Sequence, residues 1–160
     1  MDAHRAGGLW LLREMWDFPD GVPEDDRVDY LKTIMVTARA DGELGQAEKE
    51  WVIGYGAACG APQATVDALE AYDAGENVAD ILARNMPVAN TWGRVAVFDA
   101  IRASHADHDY DDEERASVRR IASALGVSDD VVAEIEQLCD DERALKKRRI
   151  DLVFGGQTPY

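Results

Sequence analysis

The sequence predicts an all-α protein, and three observations carry that expectation. Apolar residues recur at steps of three and four through nearly every segment, the spacing that lines one face of a helix. Clusters of β-branched residues bounded by turns, the mark of a sheet, are missing. Proline, Asp-Gly pairs and cap-forming side chains fall between the periodic stretches, where helices start and stop.

The elements follow in order. A first helix fits Ala3 to Trp16, with Leu9, Leu12, Met15 and Trp16 on one flank, closed by Pro19 and the Asp20-Gly21 turn. Pro23 suits the first turn of a second helix, whose Val28, Leu31, Met35 and Ala38 share a face before Asp41-Gly42 ends it. A third runs from about Gln46 to Cys59, with Gly60 placed for a left-handed C-cap. Pro62 opens a fourth through Tyr72, and Asn77 caps a short fifth through Ala83. The remaining helices span roughly Thr91 to Ser104, Asp112 to Leu125 and, with Ser128 as N-cap, a last one running past Asp140 to Phe154. Residues 155–160, GGQTPY, read as a loose tail.

Composition bounds the function. The 160 residues, 46% hydrophobic, suffice for one core and are few for two, so residues 1–160 are expected to form a single domain. Lys and Arg number 17 against 32 Asp and Glu, a formal charge of -15, so the field repels phosphate backbones and attracts cations or basic partners. Nucleic acid is disfavoured as a partner. Cys59 and Cys139 lie far apart, outside any CxxC spacing, which fits a reducing cytoplasm and small core fillers. No basic segment precedes an apolar run at the N-terminus, and no window approaches about 18 uninterrupted apolar residues, so neither secretion nor a membrane span is expected.

A repeat lies inside this pattern. Laying residues 40–70 over 106–136 without a gap gives eight identities: Ala40, Asp41, Glu48, Val52, Ala58, Gly60, Val66 and Glu70 meet Ala106, Asp107, Glu114, Val118, Ala124, Gly126, Val132 and Glu136. Glu43 meets Asp109 and Lys49 meets Arg115. One helical unit therefore reads as occurring twice, over about 26–72 and 92–138, with the helix of residues 1–18 outside it.

The segments ADGELGQAEKEWV, from Ala40 to Val52, and ADHDYDDEERASV, from Ala106 to Val118, followed by SALGVSDDVV, resemble the TerB-like domain family associated with tellurite resistance. The resemblance covers roughly residues 25–140. It implies a compact bundle of about seven helices in two pseudo-symmetric halves. It also implies acidic loops proposed to bind a divalent cation, in bacterial stress-response proteins with no established enzymatic activity. His108 stands where the family pattern has glycine, a departure that bears on the geometry of the second loop.

The acids divide into two groups. Asp111 as N-cap puts Glu114 at the third helical position, a D-x-x-E capping box, and Gly45 with Glu48 makes a weaker copy. Asp112 and Glu113 interact favourably with the helix dipole and need no ligand to explain them. Asp41 and Asp107 instead follow helix ends, where free carbonyls disfavour a carboxylate. Either an Asx-turn compensates or a cation does, shared by Asp41, Glu43 and Glu48 in one half and by Asp107, Asp109 and Glu114 in the other. Hard oxygen donors of this kind suit Ca²⁺ or Mg²⁺.

Other chemistry fits poorly. An EF-hand reading from Asp107 fails, because the sixth position is Asp112 instead of glycine and the twelfth is Val118 instead of glutamate. His105 and His108 would shift preference toward Zn²⁺ or Mn²⁺ as ligands, although a histidine at a helix C-terminus is already favourable as a surface cap. No HExxH, Walker A, GxGxxG or GxSxG occurs, and Gly54 and Gly56 read as packing glycines inside a helix. LWLLREMW, Leu9 to Trp16, is expected to dock across the bundle, with a homodimer or partner contact as the alternative. Lys146, Lys147, Arg148 and Arg149 form the only basic block.

These readings converge on a non-enzymatic, cytoplasmic, cation-binding interaction protein linked to tellurite or chemical stress. A metal-independent helical adaptor is the rival. A small enzyme subunit using Asp107 and His108 as an acid/base pair is the third reading.

Overall fold

The computed structural model describes residues 3–39, 44–85, 92–106 and 110–158, and every regular element within them is a helix. In chain order these are α1 (Ala3–Trp16), α2 (Glu24–Ala38), α3 (Gln46–Ala58), α4 (Gln63–Glu70), α5 (Val78–Arg84), α6 (Gly93–Ser104), α7 (Asp112–Ala124) and α8 (Asp129–Phe154). The expected boundaries hold within one or two residues. Pro23 and Pro62 each stand one residue earlier than expected, as N-caps instead of first-turn residues.

The most extensive packing is between α2 and α6, with α3 and α7 against both. Leu31, Ile34 and Met35 from α2 meet Val97, Ala100 and Ile101 from α6 in one fully enclosed cluster. Val52 of α3 and Val118 of α7 are both completely buried against it. Burying each of the Leu, Ile, Met and Val side chains stabilises the fold by about 1.5–3 kcal/mol.

The shift of 66 residues maps one set of helices onto the other. It carries α3 onto α7 end to end and the start of α4 onto the start of α8. It also carries the C-cap Arg39, whose N–H donates to Met35, onto His105, whose N–H donates to Ile101. The turns after α3 and α7 match bond for bond. Cys59, Gly60 and Ala61 donate to Tyr55, Ala57 and Gly56, while Leu125, Gly126 and Val127 donate to Ile121, Ser123 and Ala122. Gly60 and Gly126 sit at φ 86° and 72°, where only glycine is unstrained, so each helix ends where its glycine stands.

Helix α1 docks as expected. Leu12 is buried, Trp16 packs edge-on to Phe98 with ring centroids 5.6 Å apart, and His4 Nε2 lies 2.8 Å from the Ala61 carbonyl. Gly8 makes the approach feasible, because a Cβ there would lie 2.7 Å from the backbone of Cys59 and Gly60. Trp10 does not take part and remains 63% exposed.

Three local expectations are sharpened. Ser128 stands at the N-cap of α8 as expected, with extended backbone, but its side chain makes no cap hydrogen bond. Gly56 is the packing glycine, since a Cβ there would meet Leu31 at 2.7 Å, whereas a Cβ at Gly54 would meet nothing. Of the two cysteines, Cys139 is enclosed but Cys59 only partly so.

Candidate cation site

Each repeat unit delivers one glutamate to the start of a helix. In the second unit, Asp111 Oδ1 accepts hydrogen bonds from the N–H groups of Glu113 and Glu114 at 2.8 and 2.9 Å. Glu114 Oε2 in return accepts the Asp111 N–H at 2.7 Å, completing the reciprocal box that the D-x-x-E spacing predicts. In the first unit only half of the box exists, because Gly45 has no side chain to offer. Its N–H donates to Glu48 Oε2 at 2.7 Å. A Cβ on Gly45 would lie 2.8 Å from that oxygen, so glycine lets the carboxylate fold tightly over the helix start.

Glu48 and Glu114 thus occupy equivalent places, each with one oxygen held on the amide before the helix. Glu48 is the more enclosed, at 5% exposure. The other acids assigned to the site, Asp41 and Glu43 in one loop and Asp107 and Asp109 in the other, lie outside the described residues, as does His108. Among the described residues no group of three or more His, Cys, Asp or Glu side chains gathers closely enough to hold a metal ion. The capping role of Glu48, Asp111 and Glu114 is therefore visible in the geometry.

The helix end that precedes the second loop departs from expectation. His105 is the C-cap of α6, but its side chain is only 8% exposed instead of lying on the surface. Its ring stands edge-on to Tyr110, centroids 5.1 Å apart, and its Nδ1 lies 2.8 Å from an Arg143 guanidinium nitrogen. A guanidinium offers only donors, so Nδ1 accepts, and the neutral ring carries its proton on Nε2, 4.0 Å from Asp140. The Arg143 charge occupies the nitrogen a cation would need, which argues against His105 as a metal ligand.

Beside this ring, Tyr110 donates to Glu136 Oε1 at 3.0 Å and Arg119 to Glu136 Oε2 at 2.8 Å, while Arg115 stacks over the Tyr110 ring at 4.4 Å. Burial, then the Glu136 charge, pushes the Tyr110 hydroxyl well above the ordinary tyrosine range. Tyr110 is the first described residue after the acidic loop, and it is anchored to α8 through Glu136.

A fully buried carboxylate was not anticipated from the sequence. Asp99, fully enclosed in the middle of α6, accepts the Tyr30 hydroxyl at 2.6 Å and Arg102 at 3.3 Å, with Tyr55 a further hydrogen-bonding neighbour. Burial raises its pKa, opposed by the hydrogen bond from Tyr30 and the charge of Arg102. The available signal was a single acid inside the apolar run VAVFDAIRA, Val95 to Ala103. A buried carboxylate must be paired, and the partner with the shortest hydrogen bond, Tyr30, comes from a helix more than sixty residues away.

Two concavities lie near this network. One is an apolar cavity of about 30 Å³ beneath Trp16, Tyr30, Tyr55 and Trp92, which has room for one or two waters. The other, of about 590 Å³, lies between α1 and the Gly60 turn and mixes Arg5, Arg13 and Arg27 with Asp20 and Glu24. Arg27 is already committed there, donating to the carbonyls of Gly60 and Val22. Neither concavity is lined by Glu48 or Glu114.

Comparison with solved structures finds a tellurite resistance protein from Nostoc punctiforme. The match has a TM-score of 0.91 at 29% sequence identity and covers 100% of this chain and 99% of that one. No family model and no curated protein matches the sequence.

Proposed function

From the premise that the chain is TerB-like, with an all-helical fold, we propose that it is a non-enzymatic, divalent-cation-binding module of the tellurite or chemical stress response. The observation that carries this reading is the full-length likeness to a tellurite resistance protein, at a TM-score of 0.91. The equivalence of Glu48 and Glu114 supports the site assignment, since two equivalent helix starts each hold a carboxylate a few residues after the acids Asp41 and Glu43 or Asp107 and Asp109 in sequence.

The donor chemistry fits a hard cation. Asp41, Glu43 and Glu48 in one half, and Asp107, Asp109 and Glu114 in the other, supply oxygen only, the set that Ca²⁺ or Mg²⁺ prefers. In each glutamate the cap amide holds one oxygen and fixes the plane of the carboxylate, so it enters the site already oriented. A bound cation would supply the positive charge that lets several carboxylates share a small volume beside a helix C-terminus. Its effect would be to order the loops and so present a surface to a protein partner.

Calorimetric titration with Ca²⁺, Mg²⁺, Mn²⁺ and Zn²⁺ tests the reading. Saturable heat for Ca²⁺ or Mg²⁺ is expected in the native protein, reduced at least tenfold in affinity in Asp41→Asn or Asp107→Asn. Absence of saturable heat for every ion overturns it. The rival reading, a metal-independent adaptor, is favoured by the capping bonds of Glu114 and Asp111, which explain those two acids without a ligand. It predicts a melting temperature indifferent to chelator.

A further inference from the structure

Past Arg143, its last side chain bonded to the α6 end, the last helix runs on with its residues mostly exposed. Leu138, Leu145 and Leu152 are 50%, 55% and 74% exposed, and they stand seven residues apart. At 3.6 residues per turn they form one stripe about 21 Å long. The stripe lies roughly a third of a turn around the helix from the buried Val132 and Cys139, so packing on the bundle does not account for it. The same helical geometry puts Asp141 and Arg148 on one side of the stripe and Glu142 and Arg149 on the other. Arg148 and Arg149 are exposed and make no hydrogen bond or ion pair among the described residues.

We propose that this stripe is the contact of a symmetric antiparallel dimer, its occupant a second copy of this chain. Charge decides the orientation. A parallel pair would lay the acids at 140–142 on one another and the basic block at 146–149 on itself. An antiparallel pair with Leu145 on the twofold axis opposes Leu138 to the second copy's Leu152, Asp141 to its Arg148 and Glu142 to its Arg149. Every contact then occurs twice, and each flank of the stripe is complementary to itself. Glu142 remains reachable: it is about half exposed beside Arg102, 3.8 Å away. A single helix-on-helix stripe about 21 Å long is small beside the about 1,200 Å² at the low end of stable interfaces, so association is expected only in the roughly micromolar range or weaker.

Sedimentation velocity on the full chain, from about 1 µM to 0.3 mM, tests the assignment. The native protein is expected to shift from monomer to dimer, and Leu145→Glu, which puts two carboxylates on the axis, to stay monomeric. Arg148→Glu/Arg149→Glu and Asp141→Arg/Glu142→Arg are each expected to be monomeric, whereas their equimolar mixture forms a heterodimer. That rescue separates lost pairing from lost folding. A native protein that stays monomeric throughout overturns the proposal, as does a dimer that survives Leu145→Glu. A dimer abolished by Trp10→Glu and not by Leu145→Glu places the contact on α1, and overturns it equally.

Discussion

The turns that end α3 and α7 use the same three backbone hydrogen bonds, yet the helices that follow differ in fate: α4 stops at Glu70, while α8 runs to Phe154. That difference changes what the preceding basic side chain can do. Lys49 donates to the carbonyls of Glu70 and Tyr72 at 2.8 and 2.9 Å, capping a helix end whose acceptors would otherwise face water. At the matching place α8 continues, its carbonyls are taken by its own turns, and Arg115 and Arg119 pair instead with the Glu136 carboxylate, at 3.4 and 2.8 Å. The same divergence appears at buried polar positions. Thr33 donates to Asp29 in its own helix, whereas Asp99, 66 positions on, reaches across to Tyr30. Backbone geometry is shared between the units, and side chains are reassigned according to what each helix leaves unsatisfied.

The largest expected effect lies at that buried pair. Asp99→Ala strands the Tyr30 hydroxyl and one Arg102 contact in an enclosed site and is expected to cost about 3 kcal/mol, against less than about 1 kcal/mol for Thr33→Val, whose loss stays within one turn. Chemical denaturation of both variants measures the contrast. The sign with pH follows from the raised Asp99 pKa: the native state holds this proton more tightly than the unfolded chain. Its contribution is therefore greatest below the unfolded carboxylate pKa of about 4 and is lost as pH rises through the folded value. Asp99→Asn should flatten this part of the stability profile, and an unchanged profile would show that another carboxyl is responsible.

Next comes the capping difference. Asp111→Ala removes a side-chain acceptor and is expected to cost about 1–2 kcal/mol, read as a lower midpoint in urea. The inverse change, Gly45→Asp, should not gain the same amount. A Cβ there crowds Glu48 Oε2, and the added carboxylate repels it. Lys49→Met is expected to cost less, about 1 kcal/mol, and Arg119→Ala less again because its ion pair is partly solvated. If the two variants cost the same, the distinction between capping a helix end and pairing across a surface fails.

Much of the fold was legible because its signals are local. Helical spacing, Gly60, Gly126, Asn77 and Asp111 each act within a few residues, and all end or begin helices where they stand. The candidate site was legible only where capping fixes it, at Glu48 and Glu114. Asp41, Glu43, Asp107 and Asp109 lie outside the described residues and rest on the repeat and the resemblance. His105 was misjudged as a surface residue because the group that covers it, Arg143, comes from a helix 38 positions later.

By itself the sequence determined the helices, their ends and the recurrence at 66 residues, since backbone hydrogen bonding and side-chain periodicity are properties of neighbours along the chain. Only the tertiary structure decided that Asp99 pairs with Tyr30, that Arg102 lies over Trp51 and Phe98, and that α8 outruns the body it packs on. Those outcomes depend on which side chains meet across helices. A buried charge accepts whatever partner the packing brings, and no spacing within one helix specifies it.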